Sequence, residues 1–222
     1  NGHSGIKTTR AIQKWAEKFA NSERNFIVVG SWHMPNILGL KRLVDAELLS
    51  LDPKKIKLWV FGGMGPGLLS TFSLSLGESS PLEIIGQASS DDIDSAIMAS
   101  SGVILPIWDG SGSNLKTAQA LLSGKTIIGT NFAFRGLDAY KAESGVNITD
   151  DADALLRAMR SVDISANHQR PQAVAHLRWD NLLKNLPQDV ASSMGHSIER
   201  YKIASTLFFD ITTLVRWNGH PT

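Results

Sequence analysis

The chain has 222 residues, 42% of them hydrophobic and 19% charged, which suits one α/β domain with an appendage and excludes a disordered polymer. A formal charge of +1 offers no basic field for nucleic acid and no acidic tail. The absence of cysteine removes disulfides, thiol nucleophiles and cysteine metal sites together, and fits a reducing cytoplasm.

No apolar run approaches the ~18 residues of a membrane span. The chain opens on Asn1 with no signal-peptide pattern, so a start after processing or, more simply, a fragment of a longer cytoplasmic protein is expected. In chain order, the spacing of Ile12, Trp15, Ala16 and Phe19 predicts a helix over Thr8–Asn21. A first strand is expected over Phe26–Ser31. A helix over Asn36–Leu49 follows, with Ile37, Leu40, Val44 and Leu48 on one face and Asn36 as N-cap. Further strands are expected at Lys57–Phe61, Leu82–Ile85, Gly102–Ile107, Thr126–Thr130 and Val146–Ile148. Between them, Ser90 caps a helix through Ala99, Ser113–Ser123 forms another ending at Gly124, and Asp150 or Asp151 starts one through Arg160. The alternation stops after Val162. A helix around Gln172–Asn185, a break at Pro187 and an amphipathic helix from Ser197 to Arg216 complete the reading. Strands apolar on both faces, alternating with helices, predict a Rossmann-like parallel sheet of about six strands flanked by helices, with a helical C-terminal tail.

Ligands of such sheets bind beyond the carboxyl ends of the strands. The richest such end is Pro106–Ala120. Gly110, Ser111 and Gly112 permit close backbone approach, and the helix that opens at once offers free N–H groups to an anion. Ser113, Lys116 and Gln119, three apart, make a polar stripe suited to a diphosphate, while Leu115, Ala118 and Leu122 face the sheet. A glycine-rich connector carrying a solvated lysine has the same pattern, and the glycine spacing is not that of a P-loop. Asp91, Asp92 and Asp94 read as helix-start acidity, and no metal site is expected.

The phrase Pro106-x-x-x-Gly110-Ser111-Gly112-x-x-x-Lys116, continuing to Gly124-Lys125-Thr126-Ile127-Ile128-Gly129-Thr130, resembles the donor-binding segment of GT-B glycosyltransferases related to family 4. Val28–Asn36 is similar to the first strand and loop of the C-terminal domain of that family, Leu58–Gly63 to its second strand, and Gly86-Gln87 to its base-binding strand end. Asn131–Leu137 and the segment around Trp179 resemble later parts, so coverage runs from Asn25 to Leu183. The resemblance implies that Gly112, Ser113 and Asn114 donate to the donor diphosphate and that Lys116 balances its charge and supports the leaving group. It implies further that Gly86 and Gln87 flank the base and that Gly30 and Ser31 leave room for phosphate. The family usually has Glu at Gln119, which here accepts ribose hydroxyls without charge, and another Glu at Ser111.

The implied layout is a lead-in segment over 1–24, a donor-binding domain over 25–186 and a helical tail over 187–222. The implied function is transfer of a sugar from a nucleotide donor to an acceptor hydroxyl, without a metal or other cofactor. The expected partners are the nucleotide sugar, a missing acceptor-binding domain and, through the C-terminal helix, a second copy; no nucleic-acid or membrane partner is expected. The other readings are a non-catalytic nucleotide-binding or interaction module and another GT-B enzyme such as a nucleotide-sugar epimerase.

Overall fold

The computed structural model describes residues 9–110, 115–165, 168, 170–178 and 181. Six strands form one sheet: β1 (Arg24–Val29), β2 (Ile56–Phe61), β3 (Leu82–Gly86), β4 (Gly102–Leu105), β5 (Thr126–Gly129) and β6 (Val146–Ile148). Every pairing is parallel and the order is β3-β2-β1-β4-β5-β6. β4 and β5 are buried along their whole length, which is why they read as unbroken apolar runs.

The helices divide between the two faces. On one face α2 (Met34–Asp45), α3 (Met64–Phe72) and α6 (Ala152–Ser161) bury Ile37, Leu40, Leu43, Met64, Leu68, Leu155 and Met159 with Val28, Leu58 and Ile104. On the other face lie α1 (Thr9–Phe19), α4 (Ser90–Ala99), α5 (Leu115–Ser123) and the short α7 (Arg170–Ala173). They bury Trp15, Phe19, Ala96, Ile97, Ala120, Leu121 and Val174 with Ile27, Trp59 and Val103. Each fully buried large side chain contributes roughly 1.5–3 kcal/mol of transfer free energy. The lead-in helix α1 is seated by aromatic contacts: Trp15 meets Phe61 at 5.3 Å between ring centroids, and Phe19 meets Trp59 at 4.9 Å. The buried Trp59 indole donates to Asn25 Oδ1 at 2.9 Å, and Asn25 Nδ2 donates to the carbonyls of Phe19 and Ser22, so the side-chain polar atoms of Trp59 and Asn25 are satisfied under α1.

Several boundaries differ from the sequence reading. α3 was not expected, because Gly65, Pro66 and Gly67 are poor helix formers. The α2 N-cap is His33, which makes no side-chain cap; Asn36 lies inside the first turn, and its side chain reaches elsewhere. α4 is capped by Ser89, one residue before Ser90, through a bond accepted from the Asp92 N–H at 3.1 Å. The buried face of α5 is Thr117, Ala120 and Leu121, while Leu115 is exposed, because Thr117 turns inward to donate to the Ala133 carbonyl, in the turn after β5, at 2.6 Å. Gly124 follows α5 at φ +69°, as a C′ glycine should. The expected helix from Gln172 is instead α7 followed by a 3-10 turn, Ala175–Leu177. The remainder of that helix and the Ser197–Arg216 helix lie outside the described residues.

One glycine fixes how α2 sits on the sheet. A Cβ on Gly39 would fall 1.9 Å from the Pro106 carbonyl oxygen, a backbone atom at the end of β4. Gly39→Ala should therefore force α2 and the loop after β4 apart. The expected cost is about 2–3 kcal/mol, seen as a melting temperature lower by roughly 5–10 °C.

Candidate functional site

The strand order reverses direction between β1 and β4, the point beyond whose carboxyl ends sheets of this kind form a ligand crevice. Gly30–His33 after β1 form one wall, and Pro106–Gly110 after β4 form the other. The walls nearly touch at one point: a Cβ on Gly110, whose φ is +129°, would lie 3.6 Å from Pro35 Cβ.

A chain of polar contacts crosses the crevice. Lys116, at the start of α5, donates from Nζ to Asn36 Oδ1 at 2.7 Å. Asn36, in the first turn of α2, donates from Nδ2 to the Ser31 carbonyl at 3.1 Å and to Ser31 Oγ at 3.3 Å. Desolvation lowers the pKa of Lys116 from 10.5 to about 8. Among the described residues its hydrogen-bond partner is the uncharged Asn36 amide oxygen, so the ammonium is drawn from water without a carboxylate beside it there.

The wall after β4 is braced from behind. Trp108 Nε1 donates to the Asp150 carbonyl at 2.7 Å. The Asp150 carboxylate accepts from the Asn131 backbone N–H at 2.8 Å and from Asn131 Nδ2 at 2.9 Å. Arg135 donates to the Gly110 carbonyl at 2.5 Å, and its guanidinium lies 4.4 Å from the Phe132 ring centroid. Asp109 Oδ1 accepts from the Gly110 N–H at 2.6 Å. The loops after β4, β5 and β6 thus hold one another.

Of the residues singled out from sequence, Gly30, Ser31, Gly110 and Lys116 gather at the crevice. Gly30 is filled from below, since a Cβ there would lie 2.4 Å from Met64 Sδ. Gly86 stands at the end of β3 with φ +74° and open space where a Cβ would point, and Gln87 beside it is exposed. Ser111, Gly112, Ser113 and Asn114 lie outside the described residues. Gln119 diverges from Lys116, because three residues fall about 60° short of a full helical turn. Gln119 donates to Asp94 Oδ1 of α4 at 2.8 Å while Lys116 turns to α2.

Two partners were not legible as such. Asn36 read as a cap and Asp94 as helix-start acidity, whereas each meets a polar residue of α5. The Pro-Asn pair was the only local signal for the first. Large apolar side chains are exposed nearby in sequence: Trp32, 62% exposed, on the wall after β1, Met34 and Leu38 in α2, and Leu115 at the start of α5. The Trp32 indole lies against Gly67 of α3, where an added Cβ would come within 2.8 Å of it. No helix of the described residues is long and apolar enough to cross a membrane.

No protein-family model matches the sequence, and no curated protein matches it. Solved structures do. Anabaena HepE in complex with UDP and glucose is 16% identical with a TM-score of 0.58, over 85% of this chain and 52% of that one. Sucrose-phosphate synthase from Thermosynechococcus elongatus is 14% identical with a TM-score of 0.57, over 83% and 49%. A trehalose-6-phosphate synthase structure from E. coli bound with UDP-2-fluoro glucose is 16% identical with a TM-score of 0.51, over 89% and 48%. The chain spans about half the length of these proteins. At this identity the likeness is one of fold: the chain has the Rossmann-like architecture of one half of the GT-B fold.

The Gln119–Asp94 contact makes a pH-dependent prediction. Gln119→Glu replaces a donor by a second carboxylate, so one of the pair should have a raised pKa in the folded state. Stability relative to wild type should then be largely intact at about pH 4, where the pair holds a proton, and fall as pH rises through the raised value. A deficit of about 1–2 kcal/mol at pH 8 is expected, read from denaturation midpoints at both pH values.

Proposed function

We propose that this chain is the donor-binding half of a glycosyltransferase, taking a nucleoside diphosphate sugar into the β1/β4 crevice for transfer of the glycosyl group to an acceptor hydroxyl. The observation that carries the reading is the Lys116 ammonium, partly desolvated and held across the strand-order reversal by a neutral oxygen. A cation drawn from water and bonded, among the described residues, to an amide oxygen favours an arriving diphosphate.

In the reaction, the bond from the sugar carbon to the diphosphate oxygen breaks as the acceptor oxygen bonds to that carbon, and the acceptor proton leaves to solvent or a base. Negative charge grows on the departing diphosphate, and Lys116 stabilises it there. This assigns the counter-charge to a side chain rather than a metal. Gly110 keeps the wall low enough for backbone approach, with Ser111–Asn114 the implied donors to the phosphates. Gly86 and Gln87 remain the proposed base site. Gln119 keeps its Oε1 for a ribose hydroxyl while its amide nitrogen is bonded to Asp94. The acceptor site belongs to a second half, so the chain alone is proposed to bind nucleotide weakly and to transfer little or no sugar. Steady transfer by the isolated chain would refute that division of labour.

Calorimetric titration with UDP, GDP and ADP tests the reading. One nucleotide should be preferred, and Lys116→Ala should weaken it by about tenfold or more. EDTA should leave the affinity unchanged. Affinity should also decline as pH rises through about 8, because the neutral amine attracts no phosphate. Equal binding by wild type and Lys116→Ala would contradict the proposal.

A further inference from the structure

We propose that Asn36 is a positioning residue that parks the Lys116 side chain in the crevice, uncompensated, until a diphosphate displaces it. The inference rests on the donor-binding reading above and names a residue which that reading does not require.

Three contacts fix Asn36. Its backbone N–H donates to the His33 carbonyl at 2.9 Å, which closes the first turn of α2. Its Nδ2 donates to Ser31, so the amide can face only one way, with Oδ1 toward Lys116. Gly30 lies beneath it, where an added Cβ would come within 3.3 Å of Asn36 Cβ. α2 cannot roll away, because Gly39 rests on the Pro106 carbonyl. An oxygen from the β1 side is thus held at hydrogen-bonding distance from an ammonium on the β4 side.

The type of residue matters as much as the place. A lysine left to itself samples many rotamers, and ordering it on ligand arrival costs affinity. An aspartate here would order it but cancel its charge and repel the ligand. An alanine would release it. Asparagine orders the side chain and leaves the charge intact. A diphosphate oxygen, a stronger acceptor than an amide carbonyl, then replaces Oδ1.

The test titrates wild type, Asn36→Ala, Asn36→Asp and Lys116→Ala with UDP, or with GDP or ADP where wild type prefers one of these, with melting temperatures taken in parallel. Asn36→Ala should weaken binding by about threefold, and Asn36→Asp by about tenfold or more although nearly isosteric. In Asn36→Asp the residual binding should persist to higher pH than in wild type, since a carboxylate beside Lys116 raises its pKa. A role confined to packing would leave that pH profile unmoved. If both Asn36 variants bind UDP as wild type does while Lys116→Ala loses it, the positioning role is wrong and the donor site stands. If Lys116→Ala also binds normally, or wild type binds none of UDP, GDP and ADP, both fail. If Asn36→Asp melts well below wild type, Asn36→Ala at matched stability decides: unchanged binding and pH profile overturn the proposal.

Discussion

The crevice depends on the close approach of α2 to the end of β4. Pro106 ends its strand with a carbonyl aimed at α2, and only a residue without a side chain can sit there; Gly39 does. That contact sets the depth and rotation of α2. Its first turn then presents Asn36 to Lys116. Move the helix by the size of one methyl group and the bridge between the two halves of the sheet opens. A packing constraint between two backbones therefore governs an electrostatic arrangement a turn of helix away.

The second constraint is topological. Crossovers place α2 and α3 on one face and α4 and α5 on the other, α6 joining the first face and α1 and α7 the second, and the change of face falls between β1 and β4. Loops that leave those strands must diverge. The space between them is available to a ligand without any cavity being carved from the core. Everything further is local: a lysine on one wall, an asparagine on the other, and the loops after β5 and β6 bracing the wall that carries Gly110.

Most of this fold was legible because parallel strands buried on both faces leave continuous apolar runs, and the six runs read from sequence are the six strands. α3 escaped because Gly65 and Gly67 suit close packing against Ile84 and Trp32 rather than helix propensity, so tertiary contact outweighs local preference. The polar stripe of α5 was legible only as spacing. Where each member points depends on partners far off in the chain: Lys116 meets Asn36 eighty residues before it, and Gln119 meets Asp94 twenty-five before. Periodicity cannot report such pairs. Leu115 was misplaced for the same reason, since Thr117 takes the inward position by bonding to Ala133.

The central claim is that a nucleoside diphosphate enters between β1 and β4. Backbone amide NMR of the isotope-labelled chain, titrated with UDP, tests it most directly. The account predicts that the largest shifts fall on Gly30–Asn36 and on Gly110 through Gln119, with β6 and α6 unmoved. Shifts confined to any other face, or spread evenly without saturation, would contradict it.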